Sequence, residues 1–152
     1  GILLSLMDKA AYACASKHAG SYCVTVSVDG VDFHQPIEVG ELLSLTASIH
    51  YVGRTSMVVG IHVVAENVRI NAVRQTNSSF FTMVAKGDDD RVKEVPGLVL
   101  QNKEEVQNYL EAIRRKELRQ QYNKELHLVQ VDPVKDQQLL SKERCKVEFI
   151  DE

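Results

Sequence analysis

Apolar residues crowd the start of the chain. Leu3, Leu4, Leu6, Met7, Ala10, Ala11, Tyr12, Cys14 and Ala15 wrap most of a helical wheel, and only Ser5, Asp8, Lys9, Ser16 and Lys17 are polar between Ile2 and His18. A helix greasy on nearly every side is expected to be buried. Lys17 and His18 in the last turn, followed by Gly20, mark its end. The period then switches to two. Tyr22, Val24, Val26 and Val28 alternate with Cys23, Thr25, Ser27 and Asp29, with Val31 and Phe33 following, until His34-Gln35-Pro36 breaks the pattern. Val39-Gly40-Glu41 leads into a second run, Leu43, Leu45, Ala47, Ile49 and Tyr51 against Ser44, Thr46, Ser48 and His50. Gly53-Arg54 makes a turn, Met57, Val59, Ile61 and Val63 form a third run, and Arg69 to Ala85 a fourth, closed by Gly87-Asp88-Asp89-Asp90. One buried helix followed by long strands with short connections predicts an α+β layout, an antiparallel sheet wrapped around a central helix. Gly1-Ile2-Leu3-Leu4 enters the helix without a lead-in. An edge strand upstream of Gly1 is therefore expected to complete the sheet over the helix's open side.

Beyond Pro96 the composition changes. Residues 103 to 126 are charged and helix-prone, with Val106, Tyr109, Leu110 and Ile113 on one stripe and Glu111 one turn from Arg115. The first half of this helix is expected to dock, whereas Arg114 to Gln121 holds too few apolar residues to bury. The organisation predicted is a domain over residues 1–100, a C-terminal charged helix over 101–126 and a weakly patterned tail over 127–152. At 152 residues and 44% apolar composition, the chain supports one core.

The charge adds exclusions. A net charge of -3, from 18 basic and 21 acidic residues spread along the chain, leaves no basic stripe for a phosphate backbone, so nucleic acid is not an expected partner. Cys14, Cys23 and Cys145 are odd in number and widely spaced, arguing against a disulfide framework or a thiolate zinc site and for a reducing, cytoplasmic setting. No run approaches the roughly 20 apolar residues of a membrane span.

Two places carry candidate chemistry. Asp8 lies in the second turn of the apolar helix, where loss of solvation raises a carboxylate's pKa and suits it to act as general base or nucleophile. The competing reading puts Asp8 and Lys9 on the helix's one solvated edge, complementing the dipole. Gly53-Arg54-Thr55-Ser56, at the tip between two strands, offers a guanidinium and two hydroxyls suited to phosphate oxygens, although short hairpins use the same residues for turn chemistry alone. His18, His34, His50, His62 and His127 form neither a close H-x-x-H pair nor H-E-x-x-H, and Asp88-Asp89-Asp90 lacks the spacing of a calcium loop, so no metal site is expected. His18 is expected to stabilise its helix end. Of Phe80 and Phe81, which face opposite sides of a strand, at least one belongs to the core, and the pair is a candidate lining for an acyl tunnel.

Taken together, five blocks resemble the acyl-CoA hydrolase branch of the hot-dog thioesterases, in matching order and spacing from residue 1 to about residue 100. They are Gly1 to Asp8, Val24 to Asp29 with Phe33, Val39-Gly40-Glu41, Gly53 to Met57, and Phe80 to Ala85. The resemblance implies a hot-dog fold, edge-to-edge dimers that assemble as trimers of dimers, and active sites at the subunit interface. It puts the family's catalytic aspartate on Asp8 and its CoA-contacting loop on Gly53, Arg54, Thr55 and Ser56. It also implies that a backbone amide at the helix N-terminus, at or just before Gly1, polarises the thioester carbonyl. Family members carry an asparagine-containing segment just upstream, which has no counterpart in these residues. The expected activity is hydrolysis of fatty acyl-CoA to free fatty acid and CoA, with no metal or redox cofactor. Its chief rival is a non-hydrolytic acyl-CoA sensor, which would have no need of a carboxylate beside the thioester. A hydratase on the same fold lacks its D-x-N-x-x-H motif here, and a purely structural oligomer is the remaining reading.

Overall fold

The structure is a computed structural model that describes residues 1–30 and 36–148. Phe33 and the predicted break at His34-Gln35 lie outside the described residues. A helix α1 (Ile2–Ala19) is followed by four strands, β1 (Tyr22–Asp29), β2 (Leu42–Val52), β3 (Ser56–Asn67) and β4 (Ala72–Lys86). A long helix α2 (Lys103–Leu128) and a short 3-10 helix (Gln137–Lys142) complete the described elements. The strands form one antiparallel sheet in the order β1-β4-β3-β2. The chain divides into two compact units, Gly1–Arg114 and Arg115–Glu152.

The core forms where α1 lies on one face of the sheet. Met7, Ala11, Ala15 and Ala19 recur every four residues and are buried, so a single stripe of the helix meets the strands. Three of these four are alanines, which bring the helix axis close to the sheet. Facing them are Met57, Val59, Ile61 and Val63 of β3 and Phe81, Met83 and Ala85 of β4, with Leu43, Leu45, Ala47 and Ile49 of β2 packed at the margin. The alternation predicted for β2 and β3 is therefore the burial pattern found. Gly20 closes the helix with φ 69°, its N–H bonding the Ser16 carbonyl at 2.8 Å.

The helix is less buried than its composition predicts. Ile2 is 82% exposed, and Leu4, Leu6 and Tyr12 are each about two-fifths exposed. One sheet face covers one stripe, and the remaining apolar sides of α1 have no covering element among the described residues of this chain. β1 departs from expectation in a related way, because its valine side is not its core side. Cys23 is buried and Thr25 faces α1, while Tyr22 and Val26 are exposed. A register shift between Thr25 and Ser27 then sets Val28 opposite Phe81. β4 begins at Ala72 rather than Arg69, since residues 68–71 form the turn from β3, with Asn71 at φ 54°.

The first half of α2 docks within its unit through Tyr109 and Ala112. The Tyr109 hydroxyl donates to the Val52 carbonyl at 3.1 Å and its ring lies 5.0 Å from that of Tyr51, while Ala112 is buried. Val106 and Leu110, predicted to share that docking stripe, are exposed instead, because the contact line runs through Tyr109 and Ala112. Glu111 accepts a hydrogen bond from Gln107 Nε2 at 2.8 Å. In the second unit, Leu118, Tyr122 and Leu126 of α2 are exposed, and Asp132 Oδ1 accepts the N–H groups of Val134 and Lys135.

Candidate active site

Asp8 lies on α1 where the helix passes the edge strand β1. Its Oδ1 accepts a hydrogen bond of 2.8 Å from the Thr25 hydroxyl. That hydroxyl also lies 3.2 Å from Met83 Sδ, which pins its position between strand and helix. Asp8 is exposed together with Lys9, which matches the competing reading of a solvated helix edge and not that of a desolvated acid, because β1 is the edge strand of the described sheet here. It opens on a groove of about 350 Å³ lined by Asp8, Lys9, Tyr12, Tyr22, Cys23, Val24 and Thr25. The groove runs between α1 and β1. Tyr12 and Tyr22 meet across it edge to face, their ring centroids 5.8 Å apart.

Cys23 is the one thiol among the residues lining this groove. Burial pushes its thiol above the ordinary value, only partly offset by the Ser16 hydroxyl and the charge of Lys93. A protonated thiol is a poor nucleophile. Cys14 is held up in the same way by burial, against a smaller opposing effect of Lys17.

Gly1 is the N-cap of α1, with no side-chain cap and no acidic residue in the first turn. Its carbonyl accepts from the Ser5 N–H at 3.2 Å. The helix thus presents first-turn N–H groups without an anionic side chain of its own.

Gly53 to Ser56 form the β2–β3 hairpin tip, with the Gly53 N–H bonded to the Ser56 carbonyl at 2.8 Å. A Cβ on Gly53 would come within 2.8 Å of Ser56 Oγ, so a larger residue there would need the Ser56 hydroxyl to turn away. The tip is fastened by Ala85 N–H to the Thr55 carbonyl (3.0 Å) and Val95 N–H to the Arg54 carbonyl (2.9 Å). The Arg54 guanidinium is largely exposed, 3.9 Å from Glu94. None of these four residues lines the Asp8 groove. Within one chain, the two predicted halves of the site are not brought together.

Among the described residues, several of the remaining candidates make structural contacts, and His34 lies outside them. His18 Nε2 lies 2.8 Å from the Pro96 carbonyl, tying the end of α1 to the segment after β4. His62 Nδ1 lies 3.1 Å from Ser78 Oγ, and His50 is buried beside Phe80 with ring centroids 5.8 Å apart. Phe81 is in the core and Phe80 faces the other side, as the alternation requires. Asp89 Oδ1 accepts the Arg91 N–H at 3.1 Å in the turn after β4.

A helix-borne carboxylate, oriented by a strand hydroxyl beside an open groove, is equipment for hydrolysis. Comparison with known proteins gives that class a family. Residues 1–72 match the thioesterase superfamily. The Helicobacter pylori protein VdlD is 44% identical over 119 residues, spanning 78% of this chain and 68% of its own. A hexameric acyl-CoA thioesterase in its apo form superposes with a TM-score of 0.77 at 38% identity, over 81% of this chain and 79% of that one. The acyl-CoA hydrolase of Staphylococcus aureus, solved with butyryl-CoA and CoA, superposes with a TM-score of 0.75 at 34% identity, over 84% and 78%. This chain belongs to the thioesterase superfamily, in its hot-dog acyl-CoA hydrolase branch.

The Staphylococcus aureus enzyme has also been solved with single alanine replacements of an aspartate, a threonine and an asparagine. The aspartate and threonine replaced there are 17 positions apart. Asp8 and Thr25 have the same separation and are hydrogen-bonded. The sequence pattern singled out Asp8 but passed over Thr25, which reads as one more polar position of an alternating strand. Its spacing from Asp8 becomes a signal only beside the substitutions made in that relative.

Proposed function

We propose that the protein hydrolyses fatty acyl-CoA to a free fatty acid and CoA, with Asp8 as the catalytic carboxylate and Thr25 as its positioning residue. The observation that carries this reading is the Asp8–Thr25 hydrogen bond at the open α1–β1 groove, in a chain of this family. Thr25 occupies one carboxylate oxygen and fixes the carboxyl plane, so the other oxygen serves the reaction. Asp8 either takes a proton from water as that water attacks the carbonyl, or attacks it directly to form an anhydride that water then opens. In both routes the C–S bond breaks and CoA departs as a thiolate. A thiol pKa of roughly 8.5 makes it a good leaving group without metal assistance.

The oxyanion formed on the way needs N–H donors. The donors paired with a given Asp8 are assigned to the helix N-terminus of a second copy of the chain, in keeping with the uncovered apolar edge beside Asp8, which makes a homodimer the minimal active unit. A trimer of such dimers is the assembly proposed, in keeping with the hexameric relative. The loop Gly53, Arg54, Thr55 and Ser56 is assigned to CoA, with the exposed Arg54 guanidinium for its phosphates.

The experiment that separates a hydrolase from an acyl-CoA sensor is incubation of the wild-type protein with excess acyl-CoA, followed by detection of free CoA thiol and of fatty acid. Many equivalents of both products per protein chain are expected. Stoichiometric binding without product would establish the sensor instead.

A further inference from the structure

We propose that the Tyr12–Tyr22 pair is the acyl-length gate of this site: it ends the groove that starts at Asp8 and so sets how long an acyl chain the protein accepts. The inference rests on the hydrolase reading above and goes beyond it by naming the residues that choose the substrate. Tyr12 follows Asp8 by four residues, so the two side chains project from the same side of α1, about 6 Å apart along the axis. Tyr22, the first residue of β1, reaches the same groove from the strand side. The rings meet edge to face at 61° between planes, spanning the gap between helix and strand. Both side chains are substantially exposed, so neither is needed to fill the core.

Two arms leave a thioester, and the groove's chemistry selects between them. The CoA arm carries two amides and its phosphates, which demand donors and acceptors along their path. Lys9 and Thr25 stand with Asp8 at one end of the groove, and the rest of its lining is Cys23, the β1 chain at Val24 and the two tyrosine rings. Because burial raises the Cys23 thiol, it stays neutral and contributes an apolar wall. Such a lining suits a hydrocarbon chain. Only one helical turn separates the carboxylate from the rings, so the space admits a short acyl group, and a long one meets the aromatic pair.

The test is kcat/KM for butyryl-, octanoyl- and palmitoyl-CoA with wild type, Tyr12→Ala/Tyr22→Ala, Tyr12→Trp and Tyr12→Phe. Opening the gate with the double alanine variant is expected to raise the palmitoyl-to-butyryl ratio by about tenfold or more, in line with the discrimination that a methylene or two brings in an apolar pocket. Tyr12→Trp is expected to move the ratio toward butyryl, and Tyr12→Phe to leave it in place, since the ring and not the hydroxyl closes the groove. Thermal unfolding of each variant accompanies the kinetics. If the double variant does not fold, the tryptophan and phenylalanine variants decide alone. An unchanged length profile, or a KM raised equally for all three substrates as loss of a CoA contact would produce, overturns the gate while leaving the hydrolase reading intact. A wild-type protein that turns over none of the three removes both.

Discussion

Thr25 shows how little of a residue's role lies in its own identity. As a threonine in an alternating strand it is unremarkable, and the role proposed for it exists only because α1 brings Asp8 within 2.8 Å of its hydroxyl. A hydrogen bond to a charged group contributes about 1.5–3 kcal/mol. Thr25→Ala should therefore lower kcat by roughly 10- to 100-fold, and Thr25→Ser, which keeps the hydroxyl, should restore most of it; steady-state CoA release checks both. A purely structural threonine would be rescued by valine, which keeps the shape, rather than by serine. Gly60 is a second residue whose meaning is local. A Cβ there would lie 2.3 Å from Cε1 of the buried His50 ring, which has little room to move. Gly60→Ala is expected to cost about 1–3 kcal/mol of stability as overpacking, measurable by denaturant unfolding. Asp8 was legible in the sequence because it is the acid in an apolar helix and because its register with other blocks resembled a family. Its exposure entered only as the competing reading, a solvated edge shared with Lys9, and the choice between the two depended on β1 being the edge strand beside it. Tyr12 looked like one more apolar face of a buried helix until its side of α1 proved uncovered.

At the scale of elements, the clearest tie is between the segment before β2 and the start of β4. Glu41, whose side chain is almost fully buried, pairs with Arg74 at 2.5 Å and accepts the Glu38 N–H at 2.7 Å. Arg74 also donates to the Pro36 carbonyl. The Glu38 N–H bond first, then the Arg74 bond and charge, outweigh burial and hold the Glu41 carboxyl below its ordinary pKa. A depressed folded-state pKa means that the stabilisation is present in full above the unfolded carboxylate value and is lost as pH falls through the folded one. Thermal unfolding followed from neutral pH downward should therefore show a wild-type midpoint that drops on the acid side. Glu41→Gln should start lower at neutral pH and fall less. Equal acid slopes in the two proteins would remove Glu41 from the account. The elements themselves were mostly readable: α1 from its wheel and its Lys17-His18 to Gly20 ending, β2 and β3 from strict alternation. The start of β4 was missed by three residues because Val68 and Ile70 continue an apolar rhythm through a turn whose real markers are Asn67 and Asn71, the latter left-handed at φ 54°. The docking face of α2 was read in part: Tyr109 of the predicted stripe finds a partner on β2, while Val106 and Leu110 of the same stripe stay exposed.

For the molecule as a whole, the apolar residues left uncovered matter most. Leu4, Leu6 and Tyr12 on α1 and Tyr22 and Val26 on the edge strand β1 are all exposed in one chain. An apolar edge strand beside an apolar helix side is a surface that soluble chains cover by pairing. A second copy meeting along β1 would cover it and would bring the polarising helix N-terminus that Asp8 lacks. Val26→Lys is accordingly expected to shift the protein toward monomer in light scattering and to lower kcat in parallel, although Val26 is not a member of the site. A fully active monomer would contradict the interface. This level was the least legible, since periodicity reports which residues seek burial and not whether the cover comes from the same chain. The central claim, that Asp8 performs thioester hydrolysis, is tested most directly by steady-state acyl-CoA turnover with Asp8→Asn, an exchange that keeps the side chain's size. A fall in kcat of about 10² to 10⁴ is expected with acyl-CoA still bound, and a variant that keeps most of the wild-type kcat would show that Asp8 is not the catalytic group.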